Sequence, residues 1–277
     1  MRQARILLVD DNKVNRKLLA AVLEAGGYCV EEAGSGREAV EGVRLLTYDL
    51  VLMDVQMPDM DGIDATASIR SLGGRRAEVP IVAISGDIGD DVIERGRAAG
   101  MNDHLSKPVA PDTLQRVVEL WTRRRGDGPH ASPSAASADA APVGTPLGGL
   151  AAHLSGAALL PVIDEFSAGT AARMTDVERA VSSGDFRLAR SIAHDLSGSA
   201  SNLGFMHLGR LARSLEIACT ETDAGTATRL VAAMPAVLRQ VLAELATKRA
   251  QAVAAMGTSQ SGTARDDARP TASSRRS

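Results

Sequence analysis

Residues 49–65 read DLVLMDVQMPDMDGIDA, and this stretch decides the fold class. Its four consecutive apolar residues at 50–53 are typical of a strand that is buried on both faces. Similar apolar runs occur at residues 6–9 and 81–84. Continuous runs of this kind predict a parallel β-sheet, since an antiparallel sheet with one wet face would alternate apolar and polar residues.

The stretches between the runs predict helices, which makes the first 124 residues an α/β domain. One of them, VNRKLLAAVLEAGG, has apolar residues at helical spacing and ends in glycine. Weaker apolar runs near residues 29–30 and 104–105 bring the number of strand–helix units to five. We expect a doubly wound, five-stranded parallel sheet over residues 1–124.

The second half of the chain has a different composition. Residues 125–149 are rich in Pro, Gly, Ser and Ala and are expected to form a flexible linker. Residues 150–253 contain no strand-like run, and their long Ala- and Leu-rich stretches, with breaks at Gly184, Gly204 and Gly225, predict an antiparallel helical bundle. Residues 254–277 are expected to be a disordered tail.

The bulk composition excludes several functional classes. The net charge is −3 and aromatic residues are 2% of the 277 residues, which argues against nucleic-acid binding. The residues at 151–250 have no basic excess and no clear helix-turn-helix. No apolar run approaches the roughly 20 residues of a membrane span, and two cysteines cannot form a disulfide framework. We therefore expect a cytoplasmic protein that does not contact the membrane.

Reactive side chains follow the predicted strands where each strand ends. Because the carboxyl ends of parallel strands meet at one edge of the sheet, these side chains are expected to converge. Clustered carboxylates repel one another unless a cation lies among them, and oxygen ligands of this kind favour Mg²⁺. An acid after a strand can also cap the next helix, which would explain Asp11 alone. The converging set is Asp10, Asp11, Asp54, Ser85 and Lys107.

Four segments of residues 4–123 together resemble the response-regulator receiver domain: ILLVDDNKVNRKLL, DLVLMDVQMPDMDGIDA, PIVAISG and GMNDHLSKPV. The resemblance implies that Asp54 accepts a phosphoryl group from the phosphohistidine of a histidine kinase. It also implies that Asp11, Asp54 and the Gln56 carbonyl hold Mg²⁺, with Asp10 acting mainly through a water molecule. Lys107 would neutralise phosphoryl oxygens, and a cis peptide bond before Pro108 would aim it.

Two positions depart from the receiver pattern. Ser85 stands where the family often has threonine, and it would donate a hydrogen bond to the new phosphate. His104 stands where the family usually has tyrosine or phenylalanine, the ring that moves inward when the domain switches. An imidazole titrates near pH 6.5, so switching here is expected to be weaker or dependent on pH. The alternative is that His104 is an ordinary exposed strand residue.

The stretch ARSIAHDLSGSASNLGF, residues 189–205, contains a histidine on a predicted helix. Asp185 is expected to cap this helix, and the apolar residues at 189, 192, 193, 196, 200 and 203 form one stripe. His194 falls nearly opposite the stripe, on a face with Gly198 and Ser201. A glycine one turn away leaves room for a partner to reach the ring.

This stretch resembles the histidine phosphotransfer domain, whose signature is roughly His-x-Leu-Lys-Gly-Ser followed by Leu-Gly. Here the signature is His194-Asp195-Leu196-Ser197-Gly198-Ser199 and then Leu203-Gly204. The resemblance implies a four-helix bundle and a phosphate-accepting nitrogen on His194. Ser197 replaces the usual lysine, so either Arg190 supplies the missing cation or the histidine is slow or silent. Asp195 is assigned no role.

The combined features predict a phosphorelay protein in which Asp54 is phosphorylated and His194 exchanges the phosphoryl group with Asp54 or with another receiver domain. One alternative is a phosphorylation-switched binding module with a silent helical bundle, and another is the C-terminal fragment of a hybrid histidine kinase. A haloacid-dehalogenase-like hydrolase needs an acid where this chain has Gln56. No kinase ATP-binding motif is visible, so the phosphate must come from elsewhere.

Overall fold

The computed structural model describes residues 3–86, 89–123 and 153–261 of the chain. The predicted linker at 125–149 and residues 262–277 of the predicted tail lie outside these residues. The described part comprises an α/β domain and a helical bundle, and we call these two units the receiver and the bundle. Their boundaries follow the change in composition along the chain.

The receiver is built around a five-stranded parallel sheet, as predicted. Its strands are β1 (Arg5–Val9), β2 (Cys29–Ala33), β3 (Leu50–Asp54), β4 (Ile81–Ser85) and β5 (Asp103–Ser106), in the spatial order β2-β1-β3-β4-β5. Strands β3 and β4 are buried along their whole length, which is why their sequences show continuous apolar runs. The edge strands β2 and β5 are only partly buried, and their apolar runs are correspondingly weak.

Six helices connect and cover the strands of the receiver. They are α1 (Lys13–Ala25), α2 (Gly36–Leu45), α3 (Gly62–Ser71), the short α4 (Gly74–Ala77), α5 (Asp90–Ala99) and α6 (Pro111–Arg123). Helix α1 is capped by Asn12, whose Oδ1 accepts from the backbone N–H of Val14 and Asn15. The cap is therefore Asn12 and not Asp11, so helix capping does not explain the acid at position 11.

The bundle consists of four helices joined by short turns. They are α7 (Gly156–Ser183), α8 (Phe186–Asn202), α9 (Met206–Thr220) and α10 (Ala224–Ser261). Asp185 caps α8 by accepting from the Leu188 N–H, as predicted, and Gly184 and Gly204 adopt the positive φ values of their turns. The third break is at residues 221–223, where Thr222 has φ 55°, and not at Gly225, which lies inside α10.

Helix α10 differs from the sequence-based expectation in two respects. It continues to Ser261, so part of the predicted tail is helical. Residues Ala224–Ala254 are also long enough to qualify by composition as a membrane span, and an 18-residue stretch within them has a mean hydropathy of 1.4. The helix nevertheless packs against α7 and α9 through a stripe that enters the core of the bundle. The buried residues of this stripe are Ala227, Val231, Met234, Leu238, Val241 and Leu245.

The receiver and the bundle pack directly against each other. Helix α1 contacts α7 and α8, and the buried apolar residues of both units form one continuous cluster. The opposite face of the sheet has its own apolar core, covered by α2, α3 and α5. This arrangement places the carboxyl edge of the sheet against helix α8, which contains His194.

Candidate functional site

The three predicted carboxylates meet at the carboxyl edge of the sheet. Asp10 and Asp11 follow β1, and Asp54 is the last residue of the neighbouring strand β3. One ligand atom from each of the three lies within 4.8 Å of the others. Asp10 and Asp54 are almost fully buried, at 0% and 2% exposed. The parallel topology alone brings these residues together, because β1 and β3 are adjacent in space.

Lys107 provides the positive charge of this cluster from the end of β5. Its Nζ donates to Asp54 Oδ2 at 2.6 Å and to Asp10 Oδ2 at 3.0 Å. The Lys107–Pro108 peptide bond is cis, as the resemblance implied. Two carboxylates and one ammonium thus form a buried ion cluster, in which each ionic group has a partner.

The electrostatics of this cluster show an excess of negative charge. Burial raises the pKa of Asp54 to about 7, with Asp10 and Asp11 adding to the rise and Lys107 opposing it. Burial, then Asp195 and Asp10, raise the pKa of Asp11 to about 6. Burial acts to lower the pKa of Lys107, but Asp54 and Asp10 outweigh it and raise that pKa overall. One lysine does not neutralise three acids, so the residues fit a divalent cation with oxygen ligands.

The other predicted receiver residues occupy different positions around this cluster. Ser85 is buried at the end of β4, and its carbonyl accepts from the Lys107 N–H. Gln56 follows β3, and its N–H donates to Asp54 Oδ1 at 3.1 Å. His104 is partly buried on the edge strand β5, opposite Ala83, and it does not line the cavity described below. Its proposed role in switching stays a prediction.

His194 faces the receiver from helix α8. Its Nδ1 is 3.1 Å from Glu216 Oε1 on α9, and Glu216 Oε2 accepts from Arg213 at 2.8 Å. The His194 side chain is 28% exposed, less than its position opposite the apolar stripe suggested, because the receiver covers that face of α8. The hydrogen bond with Glu216 raises the pKa of His194 against the opposing effect of burial.

Glu216 is a buried acid that keeps its charge. Burial acts to raise its pKa, but hydrogen bonds from His194 and Arg213 lower the pKa overall. A carboxylate therefore accepts the Nδ1 hydrogen and favours the tautomer with a free electron pair on Nε2. In the sequence, Glu216 is a charged residue between the apolar residues Leu215 and Ile217. Its contact with His194 depends on how α8 and α9 pack, which the sequence does not show.

Small residues pack the two helices closely around His194. Ser197 Oγ donates to the Gly209 carbonyl at 3.1 Å, which joins α8 to α9. A Cβ on Gly209 would collide with Ser201 Oγ, so glycine permits this close approach. A Cβ on Gly198 would lie 3.6 Å from Asn15 of the receiver, at ordinary contact distance. Gly198 thus borders the receiver, and its expected role of leaving room for a partner stays a prediction.

A single cavity of about 220 Å³ joins the two units. One side, which we call the receiver wall, carries Asp10, Asp11, Asp54 and Lys107. The other side, the bundle wall, is lined among others by His194, Asp195, Ser197, Gly198, Ser201, Arg210, Arg213 and Glu216. The predicted phosphoacceptors of the two domains therefore face the same space.

Two expectations about the bundle wall need correction. Arg190 is exposed and does not line the cavity, whereas Arg210 and Arg213 of α9 do. Asp195, which was assigned no role from the sequence and was expected to be exposed, lines the cavity, and burial raises its pKa. Its carbonyl accepts from Asn12 Nδ2 of the receiver at 3.1 Å. Helical periodicity predicted which face of α8 carries His194, but it carried no information about which helix packs beside that face.

Comparisons with known proteins identify both units. The response regulator receiver domain model matches residues 6–119, and the Hpt domain model matches residues 161–251. The rice two-component response regulator ORR41 is 44% identical over 121 residues, which cover 42% of this chain and 93% of that protein. The chain belongs to the response-regulator receiver family. It carries an Hpt domain after the receiver domain.

Other relatives are much longer than the part of them that matches. The histidine kinase BarA of Escherichia coli is 39% identical over 113 residues, which cover 41% of this chain but only 12% of BarA. A solved receiver domain, that of the sensor histidine kinase PA1611 from Pseudomonas aeruginosa with a magnesium ion in its active site cleft, is 37% identical with a TM-score of 0.42. It covers 44% of this chain, and 99% of that domain is covered.

Proposed function

We propose that Asp54 and His194 are the two phosphoacceptors of an internal relay. The observation that carries the proposal is the shared cavity, which has the Lys107-bridged carboxylates on one wall and His194 on the other. A carboxylate oxygen of Asp54 attacks the phosphorus of a histidine kinase phosphohistidine, the P–N bond breaks, and the donor imidazole leaves with the electron pair. Lys107 balances negative charge on the phosphoryl oxygens beside Asp54.

The second transfer moves the group across the cavity. Nε2 of His194 attacks the phosphorus, the P–O bond to Asp54 breaks, and Asp54 regains its carboxylate. Glu216 supports this step because it holds Nδ1 and stabilises the positive charge that the ring gains when Nε2 is phosphorylated. Arg210 and Arg213 supply positive charge on the bundle wall, where Ser197 replaces the usual lysine.

Mg²⁺ is the cofactor that the receiver wall fits best. Asp11, Asp54 and the Gln56 carbonyl would hold it, and Asp10 would act through a water molecule. When bound, the ion supplies charge neutralisation for the transferring phosphoryl group. Ser85 at the end of β4 would donate a hydrogen bond to the new phosphate.

The proposed setting is a cytoplasmic protein that receives its phosphate from a histidine kinase. Another receiver domain is a further acceptor for the group on His194. Neither nucleic acid nor a membrane is a proposed partner. Helix α10 buries one face in the bundle, which supports its assignment as a bundle helix and not as a membrane span. Both a free-standing protein and the C-terminal part of a hybrid kinase are consistent with these domains.

Labelling with acetyl phosphate and Mg²⁺ tests the relay, since this small acyl phosphate can phosphorylate aspartates of receivers. We expect label on both Asp54 and His194 in the unmodified chain, on Asp54 alone in His194→Ala, and on neither residue in Asp54→Ala. Acid-stable acyl phosphate and alkali-stable phosphohistidine distinguish the two sites. Label on Asp54 alone in the unmodified chain would instead support a switch with a silent bundle, and an unlabelled Asp54 would refute the proposal.

A further inference from the structure

Asn202, at the end of helix α8, makes its side-chain hydrogen bonds to the other unit. It is almost fully buried, and its Oδ1 accepts from the Val109 N–H at 3.1 Å. Its Nδ2 donates to Asn15 Oδ1 on α1 at 3.0 Å. Within the described residues, both of these bonds end on the receiver. A buried amide with such partners serves to hold the two units together, since it satisfies no polar group of its own bundle.

The contacts continue from Asn202 to the receiver wall. Asn15 Nδ2 lies 3.4 Å from Asp10 Oδ2, and Asn12 Nδ2 donates to the Asp195 carbonyl next to His194. Lys13 and Glu165 form an ion pair at 2.8 Å between α1 and α7. The hydrogen bonds lie beside the cavity and therefore set the register between His194 and Asp54, whereas the partly exposed ion pair adds little energy.

We propose that the docked bundle masks the receiver from protein phosphodonors, and that Asn202 strengthens this docking. The inference rests on the proposed function, because it concerns access to Asp54. His194, Asp195 and Gly198 occupy the space opposite Asp54. A second phosphohistidine on a protein needs this same space, so it and the bundle of the same chain compete for one face of the receiver.

The competition favours the bundle of the same chain for two physical reasons. The two units share one continuous apolar cluster, which adds hydrophobic burial to the polar contacts. They also belong to one chain, so the effective concentration of the bundle near the receiver is of roughly millimolar order. The receiver must therefore open to accept a phosphoryl group from another protein and close to pass it to His194.

A transfer experiment between two copies of this chain tests the masking. The donor is the Asp54→Ala/Asn15→Ala chain, phosphorylated on His194 with phosphoramidate, in which the bundle is intact and its docking site is weakened. The acceptor is the His194→Ala chain, which can carry phosphate only on Asp54. Adding Asn202→Ala to the acceptor should speed transfer by about fivefold or more, the ratio that follows from losing about 1 kcal/mol of docking free energy. Ser191→Ala, an exposed change on α8, is the matched control and should leave the rate unchanged.

Acetyl phosphate separates masking from the chemistry of Asp54. All three acceptors should be labelled by it at similar rates, because a small donor does not need the face that the bundle covers. Equal rates of transfer from the donor chain with and without Asn202→Ala would overturn the masking. An equal gain with acetyl phosphate would overturn it too, since the effect would then lie in the pocket itself. If acetyl phosphate labels none of the acceptors, the proposed function fails, and the masking fails with it.

Discussion

The receiver wall holds three carboxylates and an ammonium at a buried sheet edge, whereas the bundle wall holds one partly exposed imidazole on the face of a helix. Strand ends fix the first set, and burial, with a further contribution from neighbouring carboxylates, raises the pKa values of Asp11 and Asp54. The second set has two carboxylates: Glu216, which is paired with Arg213 and His194, and Asp195, whose pKa is raised by burial. The three carboxylates of the receiver wall therefore depend on cations for their charge balance, whereas Glu216 of the bundle wall is balanced by its own neighbours.

Removing the lysine of the receiver wall should have the largest effect. Lys107→Met leaves Asp10 and Asp54 buried without their partner, and we expect a loss of about 3–5 kcal/mol in the free energy of unfolding at neutral pH without divalent ions. The loss should shrink as the pH falls, because Asp54, whose pKa is raised by burial, takes up a proton. Urea unfolding of the full chain measures this.

The control for this prediction removes one of the repelling charges. Lys107→Met/Asp54→Asn should recover part of the lost stability, since only Asp10 remains buried without its partner. If Lys107→Met were as stable as the unmodified chain under the same conditions, the carboxylates of the receiver wall would not depend on Lys107 for their charge balance.

Two glycines test whether the walls differ in rigidity. A Cβ on Gly62 would meet the Asp54 backbone carbonyl, which cannot move without moving β3, so Gly62→Ala should cost about 3 kcal/mol. A Cβ on Gly209 would meet the end of the Ser201 side chain, which can rotate, so Gly209→Ala should cost about 1 kcal/mol. Thermal unfolding of both variants measures the difference.

The second glycine has a matched compensating change. In a Ser201→Ala background the colliding hydroxyl is absent, and Gly209→Ala should then have almost no cost. Similar losses of stability in Gly62→Ala and Gly209→Ala would show that the bundle wall is as rigid as the edge of the sheet.

Glu216→Gln should shift the acid side of the pH profile for phosphorylation of His194. Only the neutral imidazole is a nucleophile, and Glu216 raises the pKa of His194 by stabilising its protonated form. Reactivity is therefore lost as the pH falls through that raised pKa. Without the carboxylate the pKa falls toward the ordinary 6.5, so the variant should stay reactive to lower pH. NMR titration of the His194 ring and the rate of phosphohistidine formation both report the shift, and an unchanged titration would refute the role of Glu216.

The smallest effects concern the arginines of the bundle. Arg190 is exposed away from the cavity, so Arg190→Ala should leave the lifetime of the phosphohistidine unchanged. Arg213→Ala should shorten it by up to about fivefold, which corresponds to the ~1 kcal/mol upper end for a solvent-exposed ion pair. The reverse result would restore the sequence-based choice of Arg190.

Much of this site follows from local sequence. Runs of apolar residues predicted the strands, and because parallel strands end at one edge, the sequence alone was enough to predict the cluster of Asp10, Asp11, Asp54 and Lys107. The helix of His194 and its apolar stripe were predicted by periodicity and by the Asp185 cap. The proposal that Arg190 replaces the missing lysine came from its position on the same helix, and spacing along one helix could not show that Arg210 and Arg213 of the neighbouring helix line the cavity.

The sequence by itself determined the two domains, the three acids with their lysine, and the face of the helix on which His194 lies. These depend on contacts within a strand, a helix or one sheet, where spacing in sequence sets spacing in space. Only the tertiary structure decided that Glu216 and Arg213 stand behind His194, and that Asn202 joins Asn15 so that the bundle closes over Asp54. Those contacts link residues 22 and 187 positions apart, and no local pattern encodes which surfaces will pack together.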